Sequence, residues 1–280
     1  ADDVLSPLTE GVYDVAVSAT DAAGNVGVDT TTNELVIGVQ PPVVTVDSLV
    51  TNDTTPELTG TVNDPAATIS VTVDGQQKAA VNSGDGTWVL EGTAFSPISD
   101  GIYNVSVSAT DVLGNVGTDD TVDELVIDTV VPVVSVTNLL TNDSTPALSG
   151  LVNDPAAAVL IVVDGQTVSA VNDEVGGWLV ADDVLAALGE GTYNVQATAS
   201  DAAGNVGSDG TTNELEIDLT APSVSVDSLA TNDATPLLTG SVNDDAAVVT
   251  VSVDGQSGQA VNNQNGTWSF GVPAALAEGV

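Results

Sequence analysis

The sequence has no cysteine, histidine or arginine, and Lys78 is its one basic residue. Without cysteine there is neither a disulfide nor a thiolate metal site, and a secreted or a cytosolic setting fits that count equally. Without histidine or arginine the commonest general bases and anion clamps are missing. Paired carboxylates could still serve glycoside hydrolysis. The acids recur along the chain instead of gathering once, however, so an enzyme is not expected. No run of 18 apolar residues occurs, so no segment reads as a membrane-spanning helix. Forty acidic residues leave a formal charge of −39. Nucleic acid needs Lys and Arg on its phosphates, and an anionic membrane repels such a chain. Cations are the partners this charge invites.

What the sequence does have is repetition. "AVSATDAAGNVGVDT", "SVSATDVLGNVGTDD" and "QATASDAAGNVGSDG" start at Ala16, Ser106 and Gln196, ninety residues apart. A chain of 280 residues then holds about three units of small-domain size. Hydrophobic residues make up 42%, and their regular alternation outweighs the scarcity of aromatics as a sign of folded structure. The spacing divides the chain into residues 1–40 (the C-terminal part of a repeat), 41–130 and 131–220 (complete repeats) and 221–280 (the N-terminal part of a repeat). The chain begins inside a repeat and is expected to be a fragment, so a missing signal peptide says nothing about export.

Residues 41–130 read as strands: "VVTVDSL", "ELTGTV", "TISVTVDG", "QKAAV", "GTWVLEG", "GIYNVSVSATD" and "DELVID". Val, Ile and Thr dominate and alternate with polar residues, the pattern of half-buried strands. Turn signals such as "NDPAA" and "VDGQ" separate them. About seven short strands in a unit of this size argue for an all-β, immunoglobulin-like sandwich. Tyr103 opens the long sixth strand, where a tyrosine corner ties such sandwiches, and Tyr13 and Tyr193 repeat it. Trp88, Trp178 and Trp268 read as core. With Trp and Tyr all at repeat-equivalent positions, no exposed aromatic platform for a sugar is left over. "ADDVLAALGEG", after Val180, is the one stretch expected to form a helical turn. The junctions "VIGVQPPVV", "VIDTVVPVV" and "EIDLTAPSV" are short and Pro-containing, so the units are expected end to end in a rod.

The acids allow two readings. Asp-x-x-Gly-Asn at Asp21/Asn25, Asp111/Asn115 and Asp201/Asn205 is either a hairpin turn, in which Gly accepts positive φ, or a hard-cation site supplying carboxylate and amide oxygens. In a seven-strand sandwich the loops after strands two and six lie at the N-terminal end. These loops hold Asn63-Asp64, Asn153-Asp154 and Asn243-Asp244 together with the Asp-x-x-Gly-Asn turns. Asp128, with Asn52-Asp53, lies at the other end, so stacking is expected to bring Asp128 toward Asn153-Asp154, Asp201 and Asn205. Carboxylates converging there without a basic partner call for Ca²⁺. Asp119 and Asp209, and Asp29 before them, are candidates to complete the loop site. Asp74-Gly75, Asp164-Gly165 and Asp254-Gly255 read as type I′ turns. Glu34, Glu124 and Glu214 read as a solvated strand face.

The combination "TNDTTPELTGTVNDPAATISVTVDG", "GDGTW", "SATDVLGNVG" and "IDTVVP" resembles the bacterial Ig-like extender repeats of giant RTX adhesins. The resemblance runs along the whole chain. It implies β-sandwich rods stiffened by Ca²⁺ near the linkers, secreted by a type I system and standing outside Gram-negative cells, where they hold a distal binding region for attachment or biofilm formation. It implies that the family's linker aspartate falls on Asp128 and Asp218, and its loop ligands on Asp111, Asn115, Asp201 and Asn205. Gly38 stands in the first junction where Asp128 and Asp218 stand in the others, so calcium there needs other ligands. The expected role is a structural spacer. The alternative is a calcium-dependent ligand-binding or homophilic, cadherin-like adhesion module. Because the two end segments are complementary parts of one repeat, head-to-tail strand completion between chains is a further expectation, around Tyr13–Ala19 and Val249–Val253.

Overall fold

A computed structural model of the chain describes residues 6–277; the outermost residues of the two terminal segments lie outside that range. Two complete sandwiches and one partial one follow each other, each around its own core. The first core gathers Leu58, Ile69, Val71, Trp88, Val107, Leu125 and Ile127, and the second gathers their counterparts ninety residues on. The third is smaller, built on Val242, Val249, Trp268, Phe270 and Val272. Among the described residues the chain is all-β apart from one 3₁₀ turn at Gly92–Ala94. Among the described residues no helix is long and apolar enough to cross a membrane.

In the first complete repeat one sheet runs in the order Val116–Thr118, Ser106–Thr110, Thr68–Val73, Gln76–Asn82, Thr87–Leu90, Leu58–Thr61. Strand Gln76–Asn82 pairs along Ile69–Val73 and then, by Val81 and Asn82, with Val89 and Trp88. That handover carries the chain between the two layers of the sandwich. Its hairpin has both Asp74 and Gly75 at positive φ, 47° and 72°, as a type I′ turn requires. A second, small sheet joins Gly101–Tyr103 and Leu49–Thr51 to either side of Leu125–Ile127, the Leu49–Thr51 pair being parallel. Trp88 is buried at 1% exposure, and its indole N–H donates to the Thr45 carbonyl at 2.8 Å. The Tyr103 hydroxyl donates to the Ser99 carbonyl at 2.8 Å, with Tyr193 on Gly189 and Tyr13 on Thr9 repeating the corner.

Three expectations are corrected. The long sixth strand is split into Gly101–Tyr103 and Ser106–Thr110, and a further short strand, Val116–Thr118, not among the seven expected, precedes the seventh, Leu125–Ile127. Asp123, at φ 64°, turns the chain in the break between those last two. The stretch after Val180 forms no helical turn; the 3₁₀ turn belongs to the aligned position of the preceding repeat, where Gly92–Ala94 replaces "DDV". Glu124 and Glu214 are not a solvated face: they are 3% and 2% exposed. They fill the strand breaks, where the two-residue alternation of a continuous strand does not apply. Glu34 is exposed.

The N-terminal segment contributes two short pairings, Gly11–Tyr13 with Leu35–Ile37 and Ser18–Thr20 with Val26–Val28. Val15 and Val17 are 42% and 59% exposed, and neither has a strand partner.

Candidate functional site: the junctions between repeats

The first two junctions are each built from a hairpin turn of one repeat and the last residues of the repeat before it. The Asp-x-x-Gly-Asn element closes the hairpin of Ser108–Thr110 with Val116–Thr118. Asp111 Oδ1 accepts the main-chain N–H groups of Leu113 and Asn115, each at 2.8 Å. Its Oδ2 accepts the Asn115 amide at 2.7 Å. Gly114 sits at φ 91°, a conformation that disfavours any residue with a Cβ. The turn is satisfied within itself, which is the hairpin reading of the motif. Asp21 and Asn25 form the same turn, as do Asp201 and Asn205.

The asparagine has a second task. Asn115 Nδ2 also donates to the Gly38 carbonyl at 3.1 Å, and Asn205 Nδ2 to the Asp128 carbonyl at 2.8 Å. One amide thus ties its own turn to the main chain of the preceding repeat. At the second junction the bond is returned, because the Asn52 N–H donates to the Ala203 carbonyl at 3.0 Å. Asn205 and Ala203 are buried there, at 6% and 8% exposure. The linker is fixed as well. A Cβ on Gly117 or Gly207 would stand 1.7 Å from the carbonyl oxygen of Pro42 or Pro132, so only glycine lets the linker lie so close. Asn63, Asn153 and Asn243 then staple the start of the next repeat, their Oδ1 atoms accepting the N–H of Val43, Val133 and Ser223.

The repeated acids share one habit. Asp64, Asp154 and Asp244 accept the N–H two residues on, at Ala66, Ala156 and Ala246. Asp128 does so with Val130 and Asp218 with Thr220. Asp119, Asp209 and Asp29 do so with Thr121, Thr211 and Thr31. A short carboxylate that caps its own turn needs no basic partner, which explains fixed spacing in a chain with one lysine. The hydrogen bond from Asn115 holds the Asp111 carboxyl below the ordinary aspartate value. At Asp201 burial pushes upward, and the bonds from Asn205 outweigh it, so the carboxyl is again held low.

As donors for Ca²⁺ these residues fit incompletely. Both oxygens of Asp111 and of Asp201 are engaged by their own turns, and the Asp128 carbonyl is taken by Asn205. Among the described residues no three acidic side chains gather as a metal cluster. No hydrogen bond from the turn reaches Asp119 or Asp209; these bind the main chain of the neighbouring strand through the Asp119 and Asp209 N–H groups, which donate to Val107 and Ala197. What sequence reasoning missed is that the asparagine acts as a donor to main chain. Its signal, an Asn ending each turn beside a linker, is indistinguishable from a ligand's.

Solved structures similar to the chain include a 1.5-MDa bacterial ice-binding adhesin concerned with host cell surface retention, at 21% identity over 84% of this chain and 88% of that one, with a TM-score of 0.34. A Ca²⁺-stabilized adhesin with which an Antarctic bacterium binds ice matches at 19% identity over 92% and 72%, with a TM-score of 0.34. A tetra-tandem repeat from the extending region of a large adhesion protein matches at 26% identity over 83% and 65%, with a TM-score of 0.31. No curated protein matches the sequence. The sequence profile of the bacterial Ig-like domain matches residues 44–129, 134–219 and 211–280. With its two complete sandwiches inside the first two of those spans, the chain belongs to the bacterial Ig-like domain family.

Proposed function

We propose that this chain is a structural extender from a large bacterial cell-surface adhesin, a spacer whose repeats are coupled so that a distal binding region stands away from the cell. The observation that carries this reading is the amide tie made twice in the same way, Asn115 to the Gly38 carbonyl and Asn205 to the Asp128 carbonyl. A tie to main chain, renewed at each ninety-residue step, is what a stack of units needs if it is to hold its direction. The reading is non-enzymatic and extracellular, and it places the protein among secreted adhesins of the RTX class.

Calcium is its expected stiffener. The carboxylate oxygens of Asp128 and Asp218 not used by their own turns, with Asp154 across the junction, are the donors this role would draw on, and a divalent cation would offset the repulsion of so acidic a rod. Extracellular modules bind Ca²⁺ at about 10⁻⁴–10⁻³ M, so roughly 10 mM calcium would add about 1.4–2.7 kcal/mol per site by linkage.

Small-angle scattering of the chain in calcium and in chelator tests both parts. The stretch from Gly101 to Thr110, in two strands, covers ten residues at about 3.3 Å each, so a unit should measure roughly 35 Å and the stack on the order of 110–130 Å. Chelation should increase bending without collapsing the particle. A compact globule in either buffer would overturn the spacer; identical profiles and melting curves in both would remove calcium from it.

A further inference from the structure

The third repeat departs from the first two at one turn. Between Val261–Asn262 and Thr267–Gly271 the chain passes through Asn265-Gly266, the one Asn-Gly pair in the sequence. Asp85-Gly86 and Val175-Gly176 stand at the aligned places. Gly86, Gly176 and Gly266 are all at positive φ, 100°, 117° and 83°, and their carbonyls accept the N–H of Val62, Val152 and Val242. The turn is held alike three times while the residue before the glycine changes. A second change lies across from it. Asp245 stands where the first two repeats have Pro65 and Pro155, and its Oδ1 accepts the Gly266 N–H at 3.3 Å. Proline has no side-chain acceptor, so Gly86 and Gly176 have no such bond from that place.

These atoms meet the needs of an asparagine that reacts with its own main chain. Closing a ring between Asn265 Cγ and the Gly266 nitrogen requires the Gly266 amide proton to be removed. A base must lie within hydrogen-bond reach of the proton it takes, and Asp245 Oδ1 already holds that proton's bond. The ring also needs a polarised Cγ. Asn265 Oδ1 accepts the Thr267 hydroxyl at 2.7 Å and the Thr267 N–H at 3.2 Å. Two donors therefore stand where negative charge develops on that oxygen, as in an oxyanion hole. The hydroxyl in turn accepts the Asn263 amide at 2.9 Å, which leaves its own proton for Asn265. Glycine has no Cβ to obstruct the approach to its nitrogen, and Asn265 is exposed to water. Asp85 makes the same two bonds with Thr87, but a carboxylate is a poor electrophile and Pro65 supplies no base. Asn115 and Asn205 are followed by the β-branched Val116 and Val206, and their amides are tied to main chain.

We infer that Asn265-Gly266 is a self-modifying site, at which Asp245 and Thr267 promote cyclisation and deamidation of Asn265. The Gly266 N–H gives its proton to Asp245, and the freed electron pair on nitrogen bonds Asn265 Cγ. The bond from Cγ to the side-chain nitrogen then breaks, and that nitrogen takes the proton back from Asp245 and leaves as ammonia. A cyclic imide remains. Water adds to one of its two carbonyls: opening at Cγ leaves aspartate, and opening at the main-chain carbonyl leaves isoaspartate. Either way the third repeat, and it alone, exchanges an amide for a carboxylate. The aspartate product would match Asp85, which the same turn of the first repeat already accommodates. Isoaspartate would add a backbone carbon to a turn whose glycine carbonyl must reach Val242 and whose next strand carries the buried Trp268. That product would loosen the turn. The inference concerns one turn of the third repeat and does not depend on the spacer reading.

The test holds the full chain at neutral pH and physiological temperature and follows Asn265 by peptide mapping in a mass spectrometer, with ammonia release measured alongside. A positioned base typically contributes about 10²–10⁴-fold, so the folded chain should convert Asn265 at least roughly tenfold faster than the same chain in guanidinium chloride, where Asp245 is no longer held at Gly266. Asp245→Asn keeps an acceptor and removes the base. Asp245→Pro installs the residue with which the first two repeats fold, and it serves should the asparagine variant not fold. Both should slow the folded rate to that of the unfolded chain, and Asn115 and Asn205 should stay intact throughout. A folded chain that keeps Asn265 longer than the unfolded one would overturn the inference. So would equal rates in the parent and in whichever Asp245 variant folds, because the carboxylate would then take no proton.

Discussion

The first and second inter-repeat junctions make the same bond with different side chains around it. At the second, Asp128 belongs to the linker and Ala203 to the turn; at the first, Gly38 and Leu113 take those places. A Cβ on Gly38 would lie 2.7 Å from Leu113 Cδ1, so the leucine uses room that a linker side chain would need. Volume has moved from one partner to the other, and charge has been lost with it. The amide tie survives because it ends on a main-chain carbonyl, which every residue has. A junction held by side-chain chemistry alone would not have tolerated Asp at one step and Gly at the other.

Removing the tie should have the largest effect. Asn205→Ala strips Asp201 Oδ2 and the Asp128 carbonyl of a donor at a buried position, a loss of about 1–3 kcal/mol. Thermal melting should fall, and scattering should show freer bending between repeats. Asn115→Ala should do the same more weakly, because Asn115 is only half-buried and its bond to Gly38 is longer, 3.1 Å. Equal losses at both positions would show that burial does not set the strength of the tie.

Acid should act on the same turns. Asp111 and Asp201 are held below the ordinary aspartate value of 3.8 in the folded chain. A depressed folded value contributes stability above the unfolded value and loses it as pH falls through the folded one. Melting temperature should therefore be flat from neutral pH down to about 4 on this account and decline below it. In Asn115→Ala that decline should be shallower, since the bond that depresses Asp111 is gone.

A smaller effect should follow from exchanging the junctions' side chains. Gly38→Asp alone should mildly destabilise the first junction by crowding Leu113, whose side-chain end is flexible. Adding Leu113→Ala should restore it and give that junction the calcium response expected of the second. A double-mutant cycle on melting temperatures, with and without calcium, measures the coupling. Additive effects would mean that the two residues do not share the space.

The smallest effect concerns the far end of the second repeat. There Asp182 hydrogen-bonds Asp143, and that bond, with the charge of Asp143, holds Asp182 above the ordinary aspartate value. The first repeat has Gly92 at the aligned position. Asp182→Asn removes the like-charge pair and should raise the melting temperature slightly at neutral pH, with the gain vanishing as acid protonates Asp182 in the parent.

The sandwich was legible because its signals are local or strictly periodic. Trp88, Tyr103 and Asp74-Gly75 each do in the structure what their neighbours in sequence imply. Alternation failed at Glu124-Leu125, where both residues are buried, since a turn at positive φ precedes them and the strand starts afresh. The Asp-x-x-Gly-Asn turn was legible as a turn and as a pairing across the junction. The direction of its hydrogen bond was not, because an amide offers both a donor and an acceptor and only the atom facing it decides between them.

Taken alone, the sequence determined the ninety-residue unit, its all-β class, its aromatic core and corner, and the end of each repeat at which the acidic turns lie. These follow from side-chain size, periodicity and turn stereochemistry, which act over a few residues. Only the tertiary structure decided that those acids mostly cap their own turns, that asparagine reaches the neighbouring repeat's main chain, and that Glu124 and Glu214 are buried with an oxygen unanswered. Those outcomes depend on which polar atoms meet after the strands pack, and burial, not composition, sets the cost of leaving one without a partner.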